Sequence, residues 1–144
     1  MDTSFHYLLL AAQGMFQRRI LARLAGSGLT AGQPKVLNYL GLHNGSVQKN
    51  IALGCQIDPA TLTGLLGRME EKGLVERRAE GGDRRALHVY LTDFGWEKQR
   101  EVLRVLEACD REMLSGLDEA EGAALLRGLR HVCEHLAENK EALQ

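Results

Sequence analysis

Residues 58–95 read DPATLTGLLGRMEEKGLVERRAEGGDRRALHVYLTDFG, and their apolar spacing changes from a helical to a strand period halfway along. Asp58 and Pro59 predict a helix start, because a capping Asp accepts from free backbone N–H groups and Pro has no N–H to leave unpaired. One stripe of the predicted helix is apolar and is expected to be buried: Leu62, Leu65, Leu66 and Met69. Gly73 then predicts the end of the helix.

Two short strands are predicted after that helix. Residues 74–78 are interpreted as one strand, and apolar residues recur at every second position of the other, at Leu87, Val89 and Leu91. Residues 80–83, Glu-Gly-Gly-Asp, lie between the two segments and have the composition of a turn. The segment therefore predicts a β-hairpin, and this hairpin is rich in arginine.

Apolar residues also recur at helical spacing before residue 58. Residues 1–24 form the first predicted helix, and Thr30 with Gln33 is a capping-box pattern that opens a second helix. Ser46 is the predicted cap of a short third helix that stops near Cys55. The helix that begins at Asp58 is then the fourth.

Two long helices are predicted after the hairpin. One is capped by Thr92 and reaches about Ser115, and the other opens with an Asp118–Glu121 capping box. The fold class is therefore mainly α with a small β-hairpin wing. Residues 30–91 have the layout of a winged helix–turn–helix domain. Residues 1–29 and 92–144 form a helical region whose apolar stripes are too long for that core to cover, which predicts a homodimer.

The composition is that of an ordinary globular protein. Of 144 residues, 44% are hydrophobic and 26% are charged, which suits one domain. No apolar run approaches the roughly 18 residues of a membrane-spanning helix, and no basic stretch precedes an apolar segment at the N-terminus. Three cysteines are an odd number without close pairing, which argues against a disulfide framework. We therefore expect a cytoplasmic chain with no membrane partner.

The charges are unevenly distributed along the chain. Residues 1–100 carry 13 Lys and Arg against 9 Asp and Glu, a net charge of +4. Residues 101–144 carry 5 against 10, a net charge of −5. This asymmetry indicates that only the basic segment meets a polyanion such as DNA.

The runs at residues 58–78, 83–85 and 91–95, with their Asp-x-Arg and Leu-Thr-x-x-Gly patterns, resemble the multiple-antibiotic-resistance regulator (MarR) family. The resemblance covers essentially the whole chain, because the outer helices fall where that family dimerises. It implies a homodimeric winged-helix repressor of transcription. Such a protein binds double-stranded DNA at a pseudo-palindromic operator and releases it when a small-molecule effector binds.

The outward face of the fourth helix suits a DNA major groove. Thr61, Gly64 and Arg68 lie opposite the leucine stripe, and Thr63 and Gly67 lie beside them. Small or hydrogen-bonding side chains let a helix approach base edges, and the helix N-terminus carries partial positive charge suited to a phosphate. The alternative is that both threonines are ordinary surface residues near a helix cap.

The resemblance implies further DNA contacts in the hairpin. Arg85 matches the family's minor-groove arginine, and Asp83 matches the carboxylate that orients it. Arg77 matches a phosphate contact, while Arg78 and Arg84 add positive charge nearby. The alternative is that these arginines only solubilise an exposed hairpin edge.

The sensing site is less sharply defined. Residues 61–70 look closest to family members that sense organic hydroperoxides, but His6, Ile20 and Ala31 fall where those members use a cysteine and two tyrosines. That thiol switch is therefore not expected. The resemblance implies instead a cleft for a small aromatic or phenolic effector. The candidate residues, each also a candidate core or interface residue, are His6, Tyr39, His43 and Trp96.

Two other sensing chemistries stay open. Cys55 lies just before the fourth helix and is the cysteine to test for oxidation. His131 and His135 share one helix face at a spacing suited to zinc, although no third ligand is evident. Lys35 also holds the position where zinc-sensing relatives have a histidine. We expect no bound metal and no cofactor.

Other functional classes are disfavoured. The chain contains no Gly-rich phosphate loop, nucleophile elbow or His-Glu-x-x-His motif, so we predict that it is not an enzyme. A winged helix that binds a protein instead of DNA is the remaining rival. Salt dependence separates the two, because the affinity of a protein for DNA falls steeply with salt.

Overall fold

The computed structural model describes residues 2–80 and 86–138, which contain six helices and three strands. In chain order they are α1 (Phe5–Arg23), α2 (Gln33–Leu42), β1 (Ser46–Val47), α3 (Gln48–Cys55), α4 (Pro59–Glu71), β2 (Val75–Ala79), β3 (Leu87–Leu91), α5 (Asp93–Leu114) and α6 (Glu119–Glu138). The predicted fold class, mainly α with a small hairpin wing, is confirmed. The chain forms two compact units, residues 1–107 and residues 108–144.

Helix α4 begins where the sequence predicts. The Asp58 carboxylate accepts from the backbone N–H groups of Ala60 at 3.1 Å and Thr61 at 3.2 Å. All four residues of the predicted apolar stripe are buried: Leu62, Leu65, Leu66 and Met69. They pack in a core shared by α2, α3 and the sheet, whose fully buried side chains include Leu37, Leu40, Ile51 and Val89.

The sheet has three antiparallel strands in the order β1-β3-β2. The sequence predicted only the hairpin of β2 and β3, and Ser46 was wrongly expected to cap a helix. Ser46 lies instead in β1, opposite Val89 of β3. A strand of two residues is too short to show a period, and its pairing depends on Gly45, whose N–H donates to the Val89 carbonyl at 2.9 Å.

Helix α2 begins later than the Thr30 capping box predicted. Gly32, with φ of +86°, holds the cap position, a conformation that glycine adopts without strain. Half of the box is present, because the Gln33 side-chain oxygen accepts from the Thr30 N–H at 3.0 Å. Gln33 is fully buried, and the same oxygen lies 3.4 Å from the Lys72 ammonium.

Helix α5 begins directly against the sheet. The Thr92 hydroxyl accepts from the Gly95 N–H at 2.9 Å, which confirms the predicted cap, and lies 2.5 Å from the Gly73 carbonyl oxygen to which it donates. A Cβ atom on Gly95 would lie only 2.0 Å from the Leu74 carbonyl oxygen. The Leu-Thr-x-x-Gly pattern thus has a packing cause: it lets the first turn of α5 lie against the chain entering β2.

Helix α6 opens with the predicted capping box. Asp118 accepts from the Glu121 N–H at 2.8 Å, and the Asp118 N–H donates to the Glu121 carboxylate at 3.4 Å. The hydrogen bond from the Glu121 N–H lowers the pKa of Asp118. Within residues 2–80 and 86–138, no helix combines the length and apolar character that crossing a membrane requires.

Candidate nucleic-acid interface

The outward face of α4 is exposed and carries two glycines, Gly64 and Gly67. Thr61, Gly64 and Arg68 are exposed opposite the buried leucine stripe, as the sequence predicted. Gly67 lies half-buried beside them, and a Cβ atom there would meet no other atom within 4 Å. The helix backbone can therefore approach a flat or grooved partner closely at two successive turns.

Thr63 is exposed, but its hydroxyl already has two partners. It accepts from the Gln48 side-chain N–H at 2.6 Å and donates to the Pro59 carbonyl at 3.0 Å. Gln48 is the first residue of α3, so this hydrogen bond joins the two helices of the helix–turn–helix. Sequence reasoning missed Gln48, because a contact between residues 15 apart leaves no periodic signal.

The two arginines of β2, Arg77 and Arg78, lie on opposite faces of the strand. Arg77 shares a face with the buried Val75 and is half-buried, with its Nε atom 2.8 Å from a carboxylate oxygen of Glu70 on α4. Arg78 lies on the other, exposed face. Neighbours in the sequence therefore occupy separate electrostatic environments, and one ligand atom cannot meet both.

Arg78 is held by a glutamate and a tyrosine. Its Nε and Nη2 atoms both donate to Glu76, the former at 3.0 Å, and its guanidinium carbon lies 4.4 Å from the centre of the Tyr90 ring. The hydrogen bond to Glu76 raises the pKa of Arg78. The Tyr90 hydroxyl donates to Glu80, and this bond raises the pKa of Tyr90.

Three of the predicted wing residues, Asp83, Arg84 and Arg85, lie outside the described residues.

An open cleft of about 330 Å³ lies within the first unit, between α1, α2, α3 and the Leu106 turn of α5. Tyr39 and His43 both line it, with ring centres 4.7 Å apart. The other two candidate effector residues, His6 and Trp96, are not among its lining residues. The lining residues that the sequence did not single out for an effector include Phe16, Lys35, Asn38 and Cys55.

Tyr39 approaches α3 closely because that helix has a glycine at the contact. A Cβ atom on Gly54 would lie 2.2 Å from Cε2 of the Tyr39 ring. Gly54 therefore sets the position of one aromatic wall of the cleft.

The Cys55 thiol is protonated, and therefore unreactive, at neutral pH. Burial raises the pKa of its thiol to about 11, and the nearby Lys35 lowers it by a smaller amount. The sulfur lies 3.6 Å from the Lys35 carbonyl oxygen. The thiolate is the reactive form, so the surroundings of Cys55 disfavour a thiol switch.

We expect Cys55 to react slowly with iodoacetamide at pH 7, where about one thiol in 10⁴ is ionised, and about a hundredfold faster at pH 9. Cys133 is exposed and serves as an internal control in the same chain. Peptide mass mapping after timed labelling measures both rates. Labelling of Cys55 at pH 7 as fast as that of Cys133 would contradict the raised pKa.

His131 and His135 stack along α6. Their rings are tilted by 18° with centres 6.5 Å apart. Across the described ranges, no group of three or more His, Cys, Asp or Glu residues is arranged to hold a metal ion.

The fold and the exposed face of α4 define a winged helix–turn–helix protein. The sequence pattern of the MarR family matches residues 27–86. The transcriptional repressor MdtR of Bacillus subtilis (strain 168) is 33% identical over 115 residues, which cover 78% of this chain and 74% of MdtR. The chain belongs to the MarR family.

Two further proteins extend the comparison. The transcriptional repressor MprA of Escherichia coli (strain K12) is 32% identical over 124 residues, covering 74% of this chain and 70% of MprA. The solved structure of the transcriptional repressor CouR bound to a 23-mer DNA duplex is similar with a TM-score of 0.80 at 26% identity, covering 90% of this chain and 92% of CouR. Members of the MarR family are transcription regulators and not enzymes, which confirms the predicted functional class.

Proposed function

We propose that this chain is a sequence-specific transcriptional repressor that binds double-stranded DNA as a cytoplasmic homodimer. The observation that carries the proposal is the outward face of α4, where Thr61, Gly64 and Arg68 are exposed opposite a buried stripe. This face is small and polar enough to enter a major groove. Similarity to the repressors MdtR and MprA supports the same function.

Residues 30–91 are the proposed DNA-binding domain. The two α4 helices of the dimer enter successive major grooves of a pseudo-palindromic operator, about one helical turn apart. The proposed contact residues on α4 are Thr61, Thr63, Gly64 and Arg68. The proposed wing residues are Arg77, Asp83, Arg84 and Arg85. Among these, Arg77 meets a phosphate and Arg85, oriented by Asp83, enters the minor groove.

Residues 1–29 and 92–144 form the proposed dimerisation region. Helices in both segments expose apolar side chains, and burial against a second copy removes this surface from water. On α1 the exposed apolar residues include Phe5, Leu8, Leu9 and Leu10. On α6 they are Leu125, Leu126, Leu129 and Leu136.

The cleft lined by Tyr39 and His43 is the proposed effector site. The rings of Tyr39 and His43 supply an aromatic wall, and Lys35, which also lines the cleft, supplies a positive charge, which suits a small aromatic or phenolic anion. A ligand that favours a conformation fitting the grooves less well releases the DNA.

Binding to DNA over a salt series tests the proposed function. The probes are a duplex from the intergenic region upstream of the chain's own gene and a scrambled duplex of the same composition. We expect a preference of about 10³ or more for the first, with an affinity that falls about 10³- to 10⁵-fold between 50 and 200 mM salt. Arg85→Ala is expected to weaken operator binding strongly without changing the dimer. Weak binding without salt dependence would favour a winged helix that recognises protein.

Gly54→Ala tests the effector site, because the added methyl group displaces the Tyr39 ring. We expect the rise in melting temperature produced by a panel of hydroxybenzoates to fall, as their affinity drops by about tenfold. DNA binding without ligand is expected to change little. Gly14→Ala is the matched control, since its Cβ would lie at an ordinary 3.5 Å from Arg18. An unchanged ligand response in Gly54→Ala would remove Tyr39 from the site.

A further inference from the structure

The exposed face of the wing carries four side chains that contact one another: Glu76, Arg78, Glu80 and Tyr90, here called the wing cluster. Glu76 and Arg78 alternate along β2 with the buried Val75, so both lie on the face turned away from the core. Tyr90 lies opposite Glu76 in the register of β2 and β3. Glu80 follows β2 directly, at the start of the hairpin tip.

Arg78 is the centre of the wing cluster. Glu76 accepts from two nitrogens on one side of the guanidinium, and the Tyr90 ring lies 4.4 Å beneath it. Tyr90 is itself anchored, since its hydroxyl donates to Glu80. Isolated surface ion pairs stabilise little, but a linked set of contacts holds a long side chain in one position.

The charge of the wing cluster is the reverse of what a DNA-binding surface requires. Its two glutamates and one arginine give a formal charge of −1, and the only cation is already paired. The side chains of Arg78 and Glu76 are 52% and 48% exposed, so a phosphate that approached Arg78 would also approach the Glu76 carboxylate.

We infer that Glu76 holds Arg78 on the Tyr90 ring and away from the DNA backbone, and so limits binding to DNA of any sequence. This inference rests on the proposed function. It replaces the contact between Arg78 and DNA that the sequence predicted. A phosphate contact carries no sequence information, so an arginine withheld from the backbone lowers binding to non-operator DNA and leaves base recognition by α4 intact. Glu76 is thus a residue that sets specificity without touching a base.

E76Q is the decisive variant, because it removes the charge and keeps the size of the side chain. We expect the affinity for the scrambled duplex at 100 mM salt to rise by about three- to tenfold, and the salt slope to steepen by up to about 0.9, the value for one added phosphate contact. The preference of E76Q for operator DNA over the scrambled duplex is therefore expected to be smaller than that of the wild type. E71Q is the matched control: Glu71 is exposed on α4, one residue from Glu70, and the substitution removes the same charge. The affinity of E71Q for the scrambled duplex is expected to differ from that of the wild type by less than about twofold.

A variant of Arg78 distinguishes two explanations of a gain in E76Q. Either Arg78 is freed to contact DNA, or the loss of one negative charge strengthens binding by itself. R78M keeps the long stem on the Tyr90 ring and removes the charge. We expect R78M to bind the scrambled duplex as the wild type does, and E76Q to have no further effect in that background. A gain from E76Q that persists in the R78M background, or a severalfold loss from R78M alone, would overturn the inference.

The free protein provides a second readout. In the wild type, the Arg78 Nε–H is expected to give a resolved NMR signal protected from exchange with water, and E76Q is expected to lose that protection. Equal exchange in both proteins also overturns the inference. If the wild type binds neither duplex at any salt concentration, both this inference and the proposed function are wrong. If the wild type binds both duplexes and E76Q binds them with the same affinities, only the role inferred for Glu76 is wrong.

Discussion

Gly95→Ala lowers the free energy of unfolding by about 3 kcal/mol or more, because the added Cβ would lie 2.0 Å from a backbone oxygen. That oxygen belongs to Leu74, which also accepts from the Thr92 N–H at 3.1 Å. A side chain can rotate away from a clash, but here the first turn of α5 must move off the sheet. The movement also breaks the cap, since the Thr92 hydroxyl accepts from the Gly95 N–H.

Urea unfolding followed by circular dichroism measures this loss, which corresponds to a fall in melting temperature of roughly 10 °C. Gly67→Ala in α4, outside the proposed dimerisation region, is the control, because a Cβ atom there would meet nothing within 4 Å. Its stability is expected to stay level or rise slightly, since alanine favours a helix more than glycine does. A Gly95→Ala protein as stable as the wild type would mean that α5 does not lie against Leu74.

Gly64→Ala is expected to act in opposite directions on stability and on DNA binding. Alanine in a helix raises the free energy of unfolding by about 0.5–1 kcal/mol, and the nearest atom to the new methyl group is the mobile end of Arg68 at 3.3 Å. On the face proposed to enter the major groove, the same methyl group holds the backbone away from base edges. We therefore expect the affinity for operator DNA to fall by about tenfold or more.

Gly67→Ala is the matched control for that prediction. It gains the same helix stability, but Gly67 lies half-buried at the side of the face, so its loss of DNA affinity is expected to be smaller. Thermal unfolding and operator titration are measured on the same samples. If both variants gain stability and neither loses affinity, α4 does not approach DNA as closely as proposed.

The sequence was most informative where a local rule governs the structure. The cap at Asp58, the leucine stripe of α4 and the Thr92 cap were all predicted, because each depends on residues within one or two turns. Strand β1 was missed because pairing with β3, and no local pattern, defines it.

The candidate site shows the same limit. Thr61, Gly64 and Arg68 follow from helical period alone, and they lie on the exposed face as expected. The partners of Thr63 and Arg78 could not be predicted from a local pattern, because Gln48 belongs to another helix and Tyr90 to another strand. Adjacent arginines read as one basic patch in a sequence, whereas strand alternation sends Arg77 and Arg78 to opposite faces.

The cap of α4 has a consequence for how this helix meets an anion. From Pro59 to Leu62 its backbone donors are already satisfied: Pro59 has none, Ala60 and Thr61 donate to the Asp58 carboxylate, and Leu62 donates to the Asp58 carbonyl at 2.9 Å. A carboxylate therefore already stands where the partial positive charge of the helix would attract a phosphate. The start of α4 therefore offers a phosphate no free backbone donor between Pro59 and Leu62 and places the negative Asp58 carboxylate there, so recognition of DNA falls to side chains that point outward.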